Sequence, residues 1–178
     1  GHLFDYLCTQ SSDGVVSAEQ ILLAVLDSFS PIWPGRLAVG GVNLGDVWRH
    51  SQAPGSGPGA GLIPFHKLSQ WLTYSLIEPL LDAGLTVTGI NALTALAEYR
   101  NGGLLLDMEV LSPKHAGVLE QTHPPEAEMV VEWRALTVAL LDHIADGTRT
   151  ILNLSSEALP LAKVLEGGTW RAGRAIAR

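Results

Sequence analysis

The 178-residue sequence predicts a mainly α-helical protein with at most a short β-hairpin. Three observations lead there. Residues 64–84 and 126–147 carry apolar side chains at three- and four-residue spacing, residues 17–29 form a serine-led apolar run, and Gly/Pro-rich stretches separate these segments. Apolar residues make up 47% and charged residues 16%, a mix that buries a core. At about 150 residues per domain, the length predicts one domain over residues 1–178.

Taken in order, Ser17 is placed to cap a helix through Ile21-Leu22-Leu23-Ala24-Val25-Leu26, and Pro31 and Pro34 stop it. Leu37, Val39, Val42, Leu44 and Val47, set around Gly40-Gly41 and Gly45, predict two short strands or an ordered loop. Residues 51–61 contain four glycines and two prolines and predict a loop. Pro64 then opens a long helix carried by Leu68, Trp71, Leu72, Leu76 and Leu80 and ending near Gly84. Residues 85–88 are β-prone, 90–96 read as a helical turn, and Glu98 to Leu106 as a helix. Pro113, Gly117, Pro124 and Pro125 make 112–125 a loop. Glu126 starts the longest amphipathic segment, with Val130, Trp133, Leu136, Val138, Leu140 and Leu141, ending around Gly147. Two further helices follow at 156–165 and 168–177, separated by Gly167-Gly168.

Composition also excludes functions. With 11 Lys and Arg against 18 Asp and Glu, the net charge of -7 opposes a phosphate backbone, so no nucleic-acid partner is expected. The single cysteine, Cys8, cannot form an internal disulfide or a cysteine zinc cage and predicts a reduced, cytoplasmic setting. No run approaches the roughly 20 apolar residues of a membrane span, and no export signal is visible. The start at Gly1 rather than Met predicts the C-terminal part of a longer protein. His2, His50, His66, His115, His123 and His143 show no metal-binding spacing, and no phosphate-binding glycine motif is present, so neither metal nor cofactor is expected. A nucleophilic serine elbow is also missing.

Four clusters combine charge with aromatic residues. In Gly45-Asp46-Val47-Trp48-Arg49-His50, the carboxylate of Asp46 lies four residues from His50, a spacing that lets it fix the imidazole tautomer; the alternative is a solvated turn. In Pro64-Phe65-His66-Lys67-Leu68-Ser69-Gln70-Trp71, Lys67 and Gln70 lie one turn apart at a helix start suited to an anion, or are simply solvated. Glu98-Tyr99-Arg100-Asn101-Gly102-Gly103 sets a polar knot against an apolar helix, as an acid/base group or as a structural Glu/Arg bridge. Glu132 and Arg134, two apart, face different neighbours and suggest salt bridges across the fold.

These clusters, with Gly35-Arg36-Leu37-Ala38-Val39-Gly40-Gly41-Val42, Glu132-Trp133-Arg134-Ala135-Leu136 and the tail Leu165-Glu166-Gly167-Gly168-Thr169-Trp170, resemble the uracil-catabolism family of fungi and bacteria. That family is often labelled uracil phosphoribosyltransferase, yet the chain lacks the hydrophobic strand ending in paired acidic residues and the small-residue loop expected for a phosphoribosyl group. More distantly, Lys67 and Gln70, Thr94 with Glu98-Tyr99-Arg100, and Glu132 with Arg134 are similar in order to the queuosine salvage glycosidases, with Glu98 where that group has Asp. The resemblance implies a helical, DNA-glycosylase-like fold and an N-ribosyl hydrolase for a small ring-opened pyrimidine nucleoside, such as ribosylurea or its 5'-phosphate. It implies catalytic roles for Glu98 and Lys67 and substrate contacts from Asp46, Arg49, His50, Phe65, Gln70, Tyr99, Arg100 and Arg134. The alternatives are a non-catalytic nucleotide- or partner-binding domain and the phosphoribosyltransferase.

Overall fold

In the computed structural model, which describes residues 1–177, Ser17 caps a helix as its sequence predicts. Its hydroxyl accepts the Gln20 N–H at 3.1 Å, while Gln20 Oε1 accepts the Ser17 N–H at 2.8 Å. This reciprocal box satisfies two donors that a helix start otherwise leaves open. The described residues divide into two units, residues 1–46 with 66–94, and residues 47–65 with 95–177.

In the first unit, α1 (His2–Gln10) precedes β1 (Val15–Ser17) and α2 (Ala18–Phe29). Helix α1 was not legible in the sequence: it is nine residues long and has no side-chain cap, too little for a periodic signal. A hairpin of β2 (Ala38–Val39) and β3 (Val42–Asn43) turns on Gly40 and Gly41, whose φ of 58° and 79° only glycine adopts freely. Beyond residues 47–65 the unit resumes with α3 (Lys67–Asp82) and β6 (Thr86–Thr88). Strand β6 lies parallel to β1, with Val16 opposite Val87. The core of this unit joins Leu7, Val16, Ile21, Ala24, Leu80 and Leu85.

In the second unit, β4 (Val47–Arg49) pairs antiparallel with β5 (Leu62–Pro64). Helix α3 therefore starts at Lys67 and not at Pro64, because Pro64 ends a strand, where its missing N–H is tolerated. The hairpin expected from sequence is thus joined by two more strand pairs, which depend on partners far away in the chain. Helix α4 (Tyr99–Asp107) and the 25-residue α5 (Glu128–Leu152) follow. Helix α5 runs past Gly147 for five more residues and stops where Asn153 turns left-handed at φ 53°. One glycine costs a helix only about 1 kcal/mol, which a long packed helix tolerates.

The two helices expected at the C-terminal end are one continuous segment. It runs through α6 (Leu161–Val164), a π-helical turn (Leu165–Trp170) and α7 (Arg171–Ile176). Gly167 and Gly168 sit inside the π turn instead of separating helices. Two core clusters result, one of Ala95, Leu141, Ala145, Leu161, Val164 and Leu165, the other of Trp48, Phe65, Ala97 and Val131. Among the described residues no helix is long and apolar enough to cross a membrane.

Two glycines set how α4 packs. The indole Nε1 of Trp133 on α5 donates to the Gly102 carbonyl at 3.1 Å, and a Cβ on Gly102 would lie 2.7 Å from the indole ring. Gly173 on α7 meets the Arg100 carbonyl where no Cβ fits. Gly173→Ala is expected to lower stability by about 1–3 kcal/mol, as overpacking does, read as a lower denaturation midpoint at unchanged slope. An unchanged midpoint would show that α7 shifts freely from α4.

Candidate functional site

In the first unit the site is built on the opening turn of α3. Backbone ladder bonds carry the chain from His50 N–H to the Gly61 carbonyl (3.0 Å) down to His66 N–H on the Asp46 carbonyl (3.3 Å). The chain then turns into α3 through His66, which adopts the left-handed conformation (φ 45°, ψ 39°). That conformation is costly for a residue with a Cβ and is held only by its surroundings. Asp46 Oδ2 accepts the Lys67 N–H at 3.0 Å, so a carboxylate 21 residues away caps the helix. The anion that a helix start attracts is therefore supplied at Lys67 N–H by the chain itself.

Lys67 and Gln70 follow on this turn as predicted. Lys67 is half-buried, and Gln70 is 7% exposed with its Oε1 buried and unpartnered. His66 was quoted in the motif but not singled out by sequence; its signal is a half-buried imidazole on a strained backbone. Burial lowers its pKa below the ordinary 6.5, and the Asp46 carboxylate works against that shift.

In the second unit, Glu98 is the N-cap of α4. Its Oε2 accepts the Arg100 N–H at 2.9 Å and its Oε1 the Asn101 N–H at 2.8 Å. The Glu/Arg bridge, the alternative to an acid/base role, does not form: Glu98 bonds to backbone, and the Arg100 guanidinium stacks on Tyr99 at 4.9 Å from the ring centroid. Tyr99 is 66% exposed, which makes this pair a surface feature. Asn101, absent from the predicted set, is 2% exposed with Oδ1 buried and unpartnered.

The second unit also brings Phe65 and Arg134 together. The Arg134 guanidinium lies 4.1 Å from the Phe65 ring centroid and 5.8 Å from that of Trp48, while its Nε donates to the Ala97 carbonyl at 3.3 Å. A weakly hydrated guanidinium suits such an aromatic setting. Arg49 is exposed on β4 and joins no cluster, because alternation along the strand turns it away from buried Trp48. His50 takes its tautomer from the Gln52 N–H, which its Nδ1 accepts at 3.1 Å, and not from a carboxylate. Glu132 is exposed and forms no ion pair among the described residues. No group of three or more His, Cys, Asp or Glu able to hold a metal occurs among the described residues.

Comparison with known proteins extends this picture. A family profile described as "Protein of unknown function (DUF1688)" matches residues 1–178. The chain is 44% identical over 151 residues to "Protein urg3" of Schizosaccharomyces pombe (strain 972 / ATCC 24843), which covers 83% of the chain and 36% of that protein. It is 38% identical over 203 aligned positions to "Uracil catabolism protein 4" of Lachancea kluyveri, covering 99% of the chain and 46% of that protein. The chain thus spans less than half the length of these two curated relatives. No solved structure gives a significant match.

The His66 environment has a consequence for stability. A histidine whose pKa is lower in the folded than in the unfolded chain lets the unfolded chain bind more protons, so stability falls as pH drops through and below 6.5. The guanidinium midpoint is expected to be lower at about pH 5.5 than at about pH 7.5, and His66→Asn, which tolerates the left-handed backbone, to shrink that difference. An identical fall in both proteins would remove His66 as a source of it.

Proposed function

Because the chain belongs to the DUF1688 family and has a relative named Uracil catabolism protein 4, we propose that it serves uracil catabolism as an N-ribosyl hydrolase. The substrate proposed is a ring-opened pyrimidine nucleoside, ribosylurea or its 5'-phosphate, and the fold is read as a helical glycosidase. The observation that carries the proposal is the Glu98 carboxylate, half-buried and oriented through both oxygens by two backbone N–H groups.

Breaking an N-ribosyl bond develops positive charge on the sugar, as an oxocarbenium-like state. Water adds to the anomeric carbon, the C–N bond breaks, and the leaving nitrogen takes a proton. A carboxylate held without freedom to turn lowers this barrier by facing the developing charge or by accepting the proton of the attacking water. Glu98 is assigned that role. Phe65 and Arg134, in the same unit as Glu98, are assigned to the wall against which a ligand packs. Tyr99 and Arg100, at the exposed start of α4, would contact the ligand from the surface side.

The N-cap geometry of Glu98 also favours a second reading, a non-catalytic nucleotide- or partner-binding domain in which this carboxylate only holds α4. Replacing Glu98 separates the two. Gln keeps a capping oxygen and removes the charge, so in a hydrolase Glu98→Gln is expected to lower urea release from ribosylurea by about 100-fold or more while the protein stays folded. Glu98→Ala should also cost about 1 kcal/mol of stability through the lost cap, under either reading. The assay uses this chain and, beside it, the full-length Lachancea kluyveri relative. Urea from neither wild-type protein, with both folded, overturns the hydrolase and leaves the binding domain. Consumption of a diphosphorylated ribose with uracil would instead establish the phosphoribosyltransferase.

A further inference from the structure

Three polar side chains on the first turn of α3 make no side-chain hydrogen bond among the described residues, although the Asp46 carboxylate acts on His66 through its charge. Gln70 Oε1 is buried and accepts no hydrogen bond. The His66 imidazole and the Lys67 ammonium, both half-buried, make no side-chain hydrogen bond or ion pair among the described residues. They share one face by construction: the Gln70 N–H donates to the His66 carbonyl at 2.8 Å, which sets the two residues one turn apart, and Lys67 lies three residues before Gln70. Gln20 shows what a glutamine does here when it is structural: its Oε1 accepts from Ser17 N–H and its Nε2 donates to the Gln10 carbonyl.

A buried acceptor without a donor destabilises the fold, and such a cost is tolerated where a ligand supplies the missing donor. The left-handed backbone of His66 adds a second cost at the same turn. The kind of ligand follows from the donors and acceptors. Gln70 Oε1 can only accept, an ammonium can only donate, and a neutral imidazole does one of each. A phosphate group offers acceptors alone and would oppose the Gln70 oxygen. A group that alternates N–H with C=O answers all three side chains.

We infer that the opening turn of α3 recognises the ureido or imide group of a ligand, with Gln70 Oε1 accepting one N–H, the Lys67 ammonium donating to the carbonyl and the neutral His66 imidazole accepting from the neighbouring N–H. Asp46, whose Oδ2 caps α3, and His50, whose Nδ1 is bonded to Gln52, are engaged within the chain, so recognition of the urea end falls to His66, Lys67 and Gln70. The inference rests on the pyrimidine reading proposed above and names the residues that would select within it.

Calorimetric titration of this chain with ribosylurea, uracil and ribose 5-phosphate tests it, in the wild type, Gln70→Met and His66→Asn. Methionine keeps the length of glutamine without its oxygen, and asparagine accepts the left-handed backbone, so both variants are expected to fold. Affinity for ribosylurea and uracil should fall by about tenfold or more in each variant, while that for ribose 5-phosphate stays within about twofold. Gln70→Met should also melt higher than the wild type, since it removes an unsatisfied buried oxygen. Wild-type binding of neither ribosylurea nor uracil overturns the inference, as do variants that bind both unchanged or that lose all three ligands equally. A lower melting point for Gln70→Met shows that its oxygen was already satisfied and also overturns it. Binding of uracil or ribosylurea that depends on these residues, without any release of urea, would sustain this recognition turn and defeat the hydrolase.

Discussion

Two hydrogen bonds at one point organise much of what surrounds the candidate site: Asp46 takes the His66 N–H on its carbonyl and the Lys67 N–H on its carboxylate. The chain departs after Asp46 into β4, passes through the Gly/Pro-rich stretch, returns along β5 and is caught again at His66. Closing a loop of this length costs chain entropy once. With the base closed, the β4–β5 register follows residue by residue, and α3 begins at a defined place with a defined cap. The left-handed His66 is the geometric consequence, because the strand must reverse into a helix within the two residues Phe65 and His66.

Two carboxylates singled out in the sequence, Asp46 as an orienter of His50 and Glu98 as an acid/base group, both cap helices. The physics is shared: a helix start presents unpaired N–H groups and a positive dipole end, and a carboxylate answers both. Capping and catalysis do not exclude each other. A carboxylate anchored by backbone N–H groups is oriented without long side-chain partners, and orientation is what an electrostatic role requires. The residues that the fold leaves unsatisfied differ from these. Gln70 and Asn101 bury an oxygen that no neighbour uses, at a cost to stability that packing elsewhere must offset. The rigid surroundings that offset it are visible around α4, where Gly102 and Gly173 allow an indole and a backbone carbonyl to approach closely.

Thr169, on the π turn, belongs to the same class of buried oxygens without a partner. Thr73, Thr137, Thr148 and Thr150 each donate to the carbonyl four residues earlier, the usual arrangement in a helix. The wider turn at Leu165–Trp170 breaks that habit, and Gly167 and Gly168 lie within it. What reads in sequence as a break between two helices is a change of helical pitch inside one.

Helices with strong local signals can be read directly from the order of residues. Ser17 and Gln20 box the start of α2, the apolar spacing of Leu72, Leu76 and Leu80 carries α3, and the Gly40-Gly41 pair makes its hairpin, because each effect acts over a few neighbouring residues. The placing of Lys67 and Gln70 on one turn and the nearness of Glu98 to the start of α4 were legible for the same reason. Contacts between distant segments are what make Pro64 close a strand, Asp46 cap a helix 21 residues away, Arg134 stack on Phe65, and Gln70 and Asn101 lie buried with an oxygen to spare. Those outcomes depend on which distant segment supplies a donor, a ring or a cover, and that information lies in contacts between segments instead of in the spacing within one.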